Sequence, residues 1–318
     1  MKEILITGGA GFIGFNLAKQ INKKKLGKIT IIDNFSRGKN DTEFQNYTKK
    51  NNIRIINKDL TKKIHINKKY DLIFHLAAIV GVKNVNQNPE KTIKVNLLPI
   101  FELIKCLKDQ NSKIIFFSTS EVYSQLIKNK NVKFPIREKE QISLPVEIIN
   151  RDSYFLSKIF CEKILELSNT NYIIFRPHNI YGPRMGYSHV IPELIKKMSK
   201  LKKINIFSPN HKRAFCFVDD AINQILSIAL NQKFKRNIYN IGNSKEEIKI
   251  YDLAKKIKFK LNSRTKLKKG KVTLGSPPRR VPSMRKTIKC LNKRPRFINI
   301  ETGLQKTINW YLKNDKKN

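Results

Sequence analysis

Short apolar runs recur along the first half of the chain, and each has the length of one buried strand. They cover Ile4–Thr7, Lys28–Asp33, Ile53–Asn57, Asp71–Leu76, Ile114–Ser118 and Tyr172–Arg176. Longer segments with helical spacing lie between most of them, namely Phe12–Lys24, Pro89–Lys108 and Tyr154–Ser168. Strands that alternate with helices need crossover connections, which produce a parallel sheet covered on both faces. The pattern therefore predicts a doubly wound α/β fold.

The pattern becomes less regular after Pro177. Helical spacing covers Pro192–Lys200, Asp219–Leu230, Ile250–Leu261 and Thr302–Leu312, and Asn237–Gly242 has the pattern of a strand. We interpret the lysine-rich region 255–271 as a helix end followed by a surface loop. These patterns predict a sheet domain over residues 1–176 and a smaller α/β lobe over residues 177–318, with some segments of the second half returning to the first domain.

The net charge of +41 on 318 residues could indicate a protein that binds nucleic acid. The lysines, however, are spread from Lys2 to Lys317 and are not stacked on one predicted helix. We therefore interpret the charge as a solvated lysine-rich surface whose positive field attracts anionic metabolites. A basic protein associated with nucleic acid is the alternative from another functional class.

The sequence predicts neither a membrane segment nor a metal site. The first strand begins next to Met1 and leaves no room for a signal peptide, and no apolar run is long enough to span a bilayer. The four cysteines lie far apart, unlike zinc ligands or a dense disulfide scaffold. Metal-helix spacing is also absent from the histidines, which are His65, His75, His178, His189 and His211. We expect a cytoplasmic protein with reduced cysteines.

The first strand leads into a glycine-rich turn in which Gly8, Gly11 and Gly14 are spaced three residues apart before a helix. Such glycines let the backbone approach a pyrophosphate, whose charge is favoured by the helix N-terminus. The second strand ends in Asp33, which could accept hydrogen bonds from an adenosine ribose and repel a 2′-phosphate. The sequence therefore predicts NAD as the cofactor, although Arg37 could accommodate the extra phosphate of NADP.

Two further groups of polar residues carry candidate chemistry. Thr119, Ser120 and Glu121 directly follow the fifth apolar run, so we expect them at the carboxyl end of a parallel strand, where ligands bind. Tyr154 and Lys158 are four residues apart on one predicted helix. That spacing places both side chains on one helical face, about one turn apart.

These motifs, in this order, resemble those of the extended short-chain dehydrogenase/reductase family of nucleotide-sugar epimerases, dehydratases and decarboxylases. The resemblance rests on the glycine turn, on Tyr154 with Lys158, and on residues 33–38, 75–78, 118–123, 176–183, 213–215, 219–220 and 280–282. It implies a Rossmann-like fold, bound NAD and a second lobe that binds substrate. The implied NAD contacts are Gly8, Gly11, Phe12, Ile13, Gly14, Asp33, Asn34, Asp59, Leu60, Leu76, Ala77, Ala78, Asn96, Ser118, Tyr154 and Lys158. The implied nucleotide-sugar contacts are Val82, Asn179, Arg213 and Arg280.

The resemblance also implies catalytic roles for Thr119, Ser120, Glu121, Tyr154 and Lys158. Tyr154 would take a proton from a sugar hydroxyl, which requires a phenol pKa about 3 units lower than usual, or about 4 kcal/mol. A lysine ammonium at about 4 Å supplies that much at an effective dielectric near 20. Thr119 would hydrogen-bond the reacting oxygen, and Ser120 and Glu121 would act on the neighbouring carbon. Glu121 could equally form a structural salt bridge at the strand end.

The implied reaction is that of an NAD-dependent nucleotide-sugar epimerase or dehydratase that works through a transient 4-keto sugar. The triplet Thr119-Ser120-Glu121 and the segment Arg280-Val281-Pro282 also resemble the decarboxylases of the family. A UDP-glucuronate-type decarboxylase is therefore the alternative within the family. The family's usual homodimer would pair the helices over residues 89–108 and 154–168 into a four-helix bundle. The sequence leaves the base and the sugar of the substrate open.

Overall fold

The computed structural model describes residues 1–62, 66, 68–129, 132–273, 275–291, 293 and 295–315. Its strands are β1 Lys2–Thr7, β2 Gly27–Asp33, β3 Arg54–Asn57, β4 Leu72–His75, β5 Lys113–Phe117, β6 Tyr172–Pro177, β7 Ile180–Tyr181, β8 Lys203–Ile206, β9 Lys212–Ala214, β10 Cys216–Phe217, β11 Asn237–Ile241, β12 Glu247–Lys249, β13 Lys266–Lys269 and β14 Arg279–Arg280. Its helices are α1 Phe12–Lys23, α2 Thr42–Lys50, α3 Val82–Gln87, α4 Pro89–Lys105, α5 Ser124–Lys128, α6 Asp152–Leu167, α7 Val190–Met198, α8 Val218–Ala229, α9 Ile250–Lys260, α10 Arg285–Lys289 and α11 Ile300–Asp315.

The chain divides into two compact units, and each unit is built from three stretches of sequence. The first unit comprises Met1–Val122, Leu144–Arg176 and Ile225–Tyr239. The second unit comprises residues 123–143, 177–224 and 240 onward. Within the described ranges, no helix is long and apolar enough to cross a membrane.

A seven-stranded sheet forms the centre of the first unit, with the strand order β11-β6-β5-β4-β1-β2-β3. The pairs β1–β2, β1–β4, β2–β3, β4–β5 and β5–β6 are all parallel. The order reverses between β1 and β4, and in open α/β sheets ligands bind at such a point, beyond the carboxyl ends of the strands. The predicted doubly wound, Rossmann-like fold is confirmed.

Aliphatic side chains explain why the apolar runs form the interior of this sheet. One cluster of buried side chains crosses five strands and two helices, and it includes Leu5, Ile32, Ile73, Ile114, Ile174, Ile100, Leu103, Cys161 and Leu165. Burying each large aliphatic side chain contributes about 1.5–3 kcal/mol relative to leaving it exposed. The strand ends that carry the candidate site are therefore held in place by a tightly packed hydrophobic core.

The second unit contains short strands in small sheets, in the orders β10-β7, β12-β9-β14 and β13-β8. The strand β13 lies in the lysine-rich region, where Lys266–Lys269 pairs in parallel with Lys203–Ile206. The interpretation of this part of the region as a surface loop is therefore wrong. The backbone can pair there because the lysine side chains stay exposed while Leu267 is half-buried.

Candidate active site

The glycine turn connects β1 to α1 in a backbone conformation that needs glycine. Gly8 has a φ of +70°, and a Cβ on it would lie 2.7 Å from the amide nitrogen of Ala77. A Cβ on Gly14 would lie 2.3 Å from the carbonyl oxygen of Gly8. Helix α1 starts after Gly11, which provides no side-chain cap. The first amides of α1 are thus not capped by that side chain and suit a pyrophosphate.

Asp33 ends β2 beside the glycine turn. Its Oδ2 accepts a hydrogen bond from the Ala10 amide at 2.9 Å, and its Oδ1 accepts one from the Phe35 amide at 2.9 Å. Burial raises the pKa of the Asp33 carboxyl, and these two hydrogen bonds oppose the rise. Each oxygen keeps further accepting capacity for a ribose hydroxyl. The neighbouring Asn34 and Arg37 side chains are exposed.

The other predicted NAD contacts lie at the ends of β3 and β4. The Ala77 amide donates to Thr7 Oγ1 at 3.3 Å, and this hydroxyl lies 2.7 Å from Nδ1 of His75. Burial, assisted by the positive charge of Lys158, lowers the pKa of His75 to about 3, so the ring is neutral. After β3, hydrogen bonds from the backbone and side chain of Thr61 lower the pKa of Asp59.

Asn96 is fully buried and connects the segment after β4 to helix α6. Its Oδ1 accepts a hydrogen bond from the Ile79 amide at 2.9 Å, and its Nδ2 donates to Ser157 Oγ at 2.9 Å. These contacts place Asn96 as a support beneath the predicted cofactor segment 76–78. Val82, predicted to contact substrate, is exposed at the start of α3.

Helix α6 carries Tyr154 and Lys158 one turn apart. Lys158 is only 2% exposed, and its ammonium donates to the carbonyl oxygen of Phe117 at 3.0 Å and lies 4.7 Å from the centre of the Phe116 ring. Burial lowers the pKa of Lys158 to about 8, against the opposing effects of Cys161 and Glu162. The structure thus fixes a titratable cation at the carboxyl end of β5, while Tyr154 is half-buried.

The triplet Thr119-Ser120-Glu121 follows β5 at the same end of the sheet. Thr119 Oγ1 accepts a hydrogen bond from the Glu121 amide at 3.1 Å, which leaves the hydroxyl proton of Thr119 available for donation. Glu121 lies 3.8 Å from the guanidinium of Arg151, and both side chains are largely buried. The ion pair predicted as the structural role of Glu121 is therefore present, and it holds the carboxylate near the start of α6.

Sequence analysis missed a buried ion pair below this site. Arg176 donates to Glu162 through Nε at 3.0 Å and through NH2 at 2.5 Å, and Ser118 Oγ donates to the same carboxylate. Glu162 is fully buried and Arg176 is 2% exposed. One feature of the sequence could have indicated a buried Glu162. It follows Lys158 by four residues, so both side chains lie on the same helical face.

The predicted substrate residues of the second unit lie on β9, on β14 and after β6. Asn179 has a φ of +41°, and its Nδ2 donates to the carbonyl oxygen of Ala214 at 3.2 Å. Arg213 is buried and donates to the carbonyl oxygens of Lys212 and Pro277 at 2.8 and 2.7 Å. Arg280 is paired in register with Arg213 on the adjacent strand.

Metal ligands do not assemble in the part of the chain that the structure describes, where no group of three or more histidine, cysteine or acidic side chains could hold an ion. His65 lies outside the described residues. The cysteines at positions 106, 161, 216 and 290 are free thiols.

Comparison with known proteins identifies relatives over nearly the whole chain. The model of the NAD dependent epimerase/dehydratase family matches residues 4–242. The chain is 30% identical to UDP-N-acetyl-alpha-D-glucosaminuronate decarboxylase of Bacillus cytotoxicus, over 99% of both chains. It is 27% identical to UDP-glucuronic acid decarboxylase 1 of Xenopus tropicalis, over 98% of this chain and 72% of that one. Among solved structures, UDP-N-acetylglucosamine 4-epimerase of Methanobrevibacter ruminantium M1, in complex with UDP-N-acetylmuramic acid, is 27% identical and superposes with a TM-score of 0.84 over 98% of both chains.

Proposed function

Because this chain belongs to the NAD dependent epimerase/dehydratase family of enzymes, we propose that it transforms the sugar of a nucleoside diphosphate sugar through a transient 4-keto sugar. The observation that carries this proposal is the buried Lys158 amine, held at the end of β5 by the Phe117 carbonyl and one helical turn from Tyr154. We assign NAD to the first unit and the nucleotide sugar to the second. The glycine turn and Asp33 support the cofactor assignment, because an added Cβ would block the turn and the carboxylate can accept ribose hydroxyls.

The residues around the end of β5 have separate roles in the proposed reaction. NAD, when bound, supplies the acceptor that takes up a hydride from the sugar and later returns it. The Lys158 ammonium stabilises the phenolate form of Tyr154, which removes the hydroxyl proton and becomes a neutral phenol. Thr119 donates its hydroxyl proton to the reacting oxygen, and Glu121 exchanges a proton at the neighbouring carbon. Arg151 holds that carboxylate in place at 3.8 Å.

Decarboxylation is a second candidate, favoured by the names of the two curated relatives given above. A sugar with a carboxylate on the carbon next to the 4-keto carbon is a β-keto acid, which loses carbon dioxide readily. The electrons of the broken carbon–carbon bond move into the ketone to form an enolate, and the ring carbon then takes a proton. In this version Arg280 binds the departing carboxylate, because arginine offers two parallel donors to such a group.

A panel of UDP, GDP and TDP sugars, followed by mass spectrometry and NMR, distinguishes these reactions. Loss of water indicates dehydration, loss of carbon dioxide indicates decarboxylation, and an altered NMR spectrum at constant mass indicates epimerisation. Binding of duplex DNA as a function of salt tests the nucleic-acid alternative. Protein that holds no NAD, binds no nucleoside diphosphate and binds DNA at physiological salt would contradict the proposed function.

Two variants test the separate roles proposed for Tyr154 and Glu121. Tyr154→Phe keeps the ring but has no oxygen to accept the proton, so a single-turnover mixture should show no NADH absorbance. Glu121→Gln should permit the first oxidation and block the following step, so NADH absorbance should accumulate. Normal turnover by Glu121→Gln would make Glu121 a structural carboxylate, as in a simple 4-epimerase that needs only Thr119, Tyr154 and Lys158.

We also propose a cytoplasmic homodimer built through α4 and α6. Large apolar side chains are exposed on both helices, including Phe101 on α4 and Phe160 and Leu167 on α6. Exposed apolar groups of this size are a common feature of protein interfaces. Light scattering at micromolar concentration should give a dimer that Phe160→Glu dissociates. The control Phe259→Glu, on the exposed side of α9 in the second unit, should stay dimeric. A monomeric wild-type protein would contradict the proposal.

A further inference from the structure

The pairing of β9 with β14 brings two arginines side by side. The strands are parallel, with Arg213 opposite Arg280 and Lys212 opposite Arg279. Paired residues of adjacent strands have their side chains on the same face, where like charges destabilise the sheet. Arg279 is compensated, because its Nε and NH2 donate to the Glu247 carboxylate at 2.7 and 2.8 Å. A bound dianion would offset the repulsion between the charges of Arg213 and Arg280.

His211 adds a third nitrogen group to this face. It precedes Arg213 by two residues and is 8% exposed. Its Nδ1 lies 3.5 Å from NH2 of Arg213 and 3.4 Å from Oγ of Ser276. Arg213 NH2 donates to Ser276 Oγ at 2.9 Å, so the Ser276 hydroxyl can donate its own proton to Nδ1, and the proton of the neutral ring is then on Nε2. Within the described ranges, Nε2 has no hydrogen-bond partner and can donate to a ligand.

The ring is neutral because of its surroundings. Burial is the main cause that lowers the pKa of His211, followed by the positive charges of Arg213 and Arg280. Helix α9 packs against this residue, since the Ile250 amide donates to the His211 carbonyl at 3.0 Å. The ionisable and polar groups brought by the packed elements are Arg213 from β9, Arg280 from β14, Ser276 from the loop before β14, and Tyr251 and Asp252 from α9. The two arginines are the groups among these that act on the ring.

We infer that His211 is a third binding residue for the diphosphate of the substrate and takes up one proton from solvent when a nucleoside diphosphate binds beside Arg213 and Arg280. This inference rests on the proposed function. The negative charge of the ligand offsets both arginines, which removes the second cause of the lowered His211 pKa and places an opposite charge beside the ring. When NH2 of Arg213 turns its proton from Ser276 Oγ to the ligand, Nδ1 can take a proton and donate it to that hydroxyl oxygen. Nε2 then donates to a phosphate oxygen.

The proton uptake has a definite sign and size. Binding raises the pKa of His211, so affinity increases as pH falls from the pKa of the complex toward that of the free protein. Each unit of increase strengthens binding about tenfold at the acid end of this window. Because the pKa of the free ring is lowered and ligand binding raises it, binding near neutral pH takes up protons.

Isothermal titration calorimetry with UDP tests the inference in the full-length protein. Titrations at pH 7 in two buffers of different ionisation enthalpy, neither of them phosphate, give the number of protons exchanged. Protons exchanged by UDP itself cancel when wild type is compared with His211→Gln. We expect the wild type to take up more protons than this variant, which should still bind UDP through the two arginines. His189→Gln, on the residue before α7, is the matched control and should behave as the wild type.

NMR titration of the His211 ring in wild-type protein, with and without UDP, gives the same information without a substitution that could impair folding. An increase in the His211 pKa on addition of UDP supports the inference. UDP binding with equal proton exchange in wild type and His211→Gln, or with an unchanged ring titration, overturns it and leaves the proposed function intact. A wild type that binds none of UDP, GDP and TDP overturns both.

Discussion

The ion pair between Glu162 and Arg176 makes a quantitative prediction about stability. The change Glu162→Gln keeps the size of the side chain and one acceptor oxygen but removes the negative charge. The oxygen that accepts from Arg176 NH2 becomes an amide group, so two donors face each other. Arg176, at 2% exposure, and the buried Lys158 then lack their shared counter-charge. Removing one partner of a buried pair costs about 3–5 kcal/mol, and we expect Glu162→Gln to lower the free energy of unfolding by that amount.

Urea unfolding followed by circular dichroism measures this loss. Glu166→Gln is the control, because the Glu166 pair with Lys163 at 2.6 Å is on the surface and contributes less than about 1 kcal/mol. The double variant Glu162→Leu with Arg176→Met removes both charges and should cost less than Glu162→Gln alone. A loss below about 1 kcal/mol for Glu162→Gln, or a larger loss for the double variant, would refute this account of the pair.

Four substitutions and one pH profile test the site further. Gly14→Ala should abolish bound NAD in purified protein, since the new Cβ would lie 2.3 Å from a backbone oxygen; normal NAD content would contradict the turn's role. Asp33→Ala should weaken NAD far more than NADP in fluorescence titrations, and equal losses would oppose the ribose assignment. Arg213→Ala and Arg280→Ala should each raise KM in steady-state assays, because they remove ground-state contacts; unchanged KM and kcat would remove both from the substrate site. The single-turnover oxidation rate should fall as pH rises through about 8, where Lys158 loses its proton, and a rate still constant near pH 10 would exclude that dependence.

The first half of the fold was predictable because single apolar runs specify buried strands. The run Ile114–Ser118 became β5 at Lys113–Phe117, and the glycine turn follows β1 as the pattern requires. The second unit was less predictable, since its strands have only two to four residues each and depend on backbone pairing. Lys266–Lys269 has no strand-like side-chain pattern and pairs because β8 lies beside it.

The site residues that lie close together in sequence were predictable, and the contacts between residues distant in sequence were not. Tyr154 and Lys158 share a helical face, so their spacing was informative. Arg176, the partner of Glu162, lies on another element, and Ser276 lies 65 residues from His211, so a single sequence does not predict either contact. The salt bridge of Glu121 was predicted as an alternative, but Arg151 could not be identified as its partner, because 30 positions of sequence separate the two.

The division of each unit among three stretches of chain constrains how the protein is made. The sheet of the first unit is incomplete until residues 237–241 supply its edge strand β11. A ribosome that adds about 5–20 residues per second therefore needs several seconds after finishing β6 before that edge is covered. During this interval β6 has an unpaired edge that can recruit other chains. A fragment ending at residue 176 would keep this exposed edge permanently, so the first unit cannot be obtained intact by a single cut there.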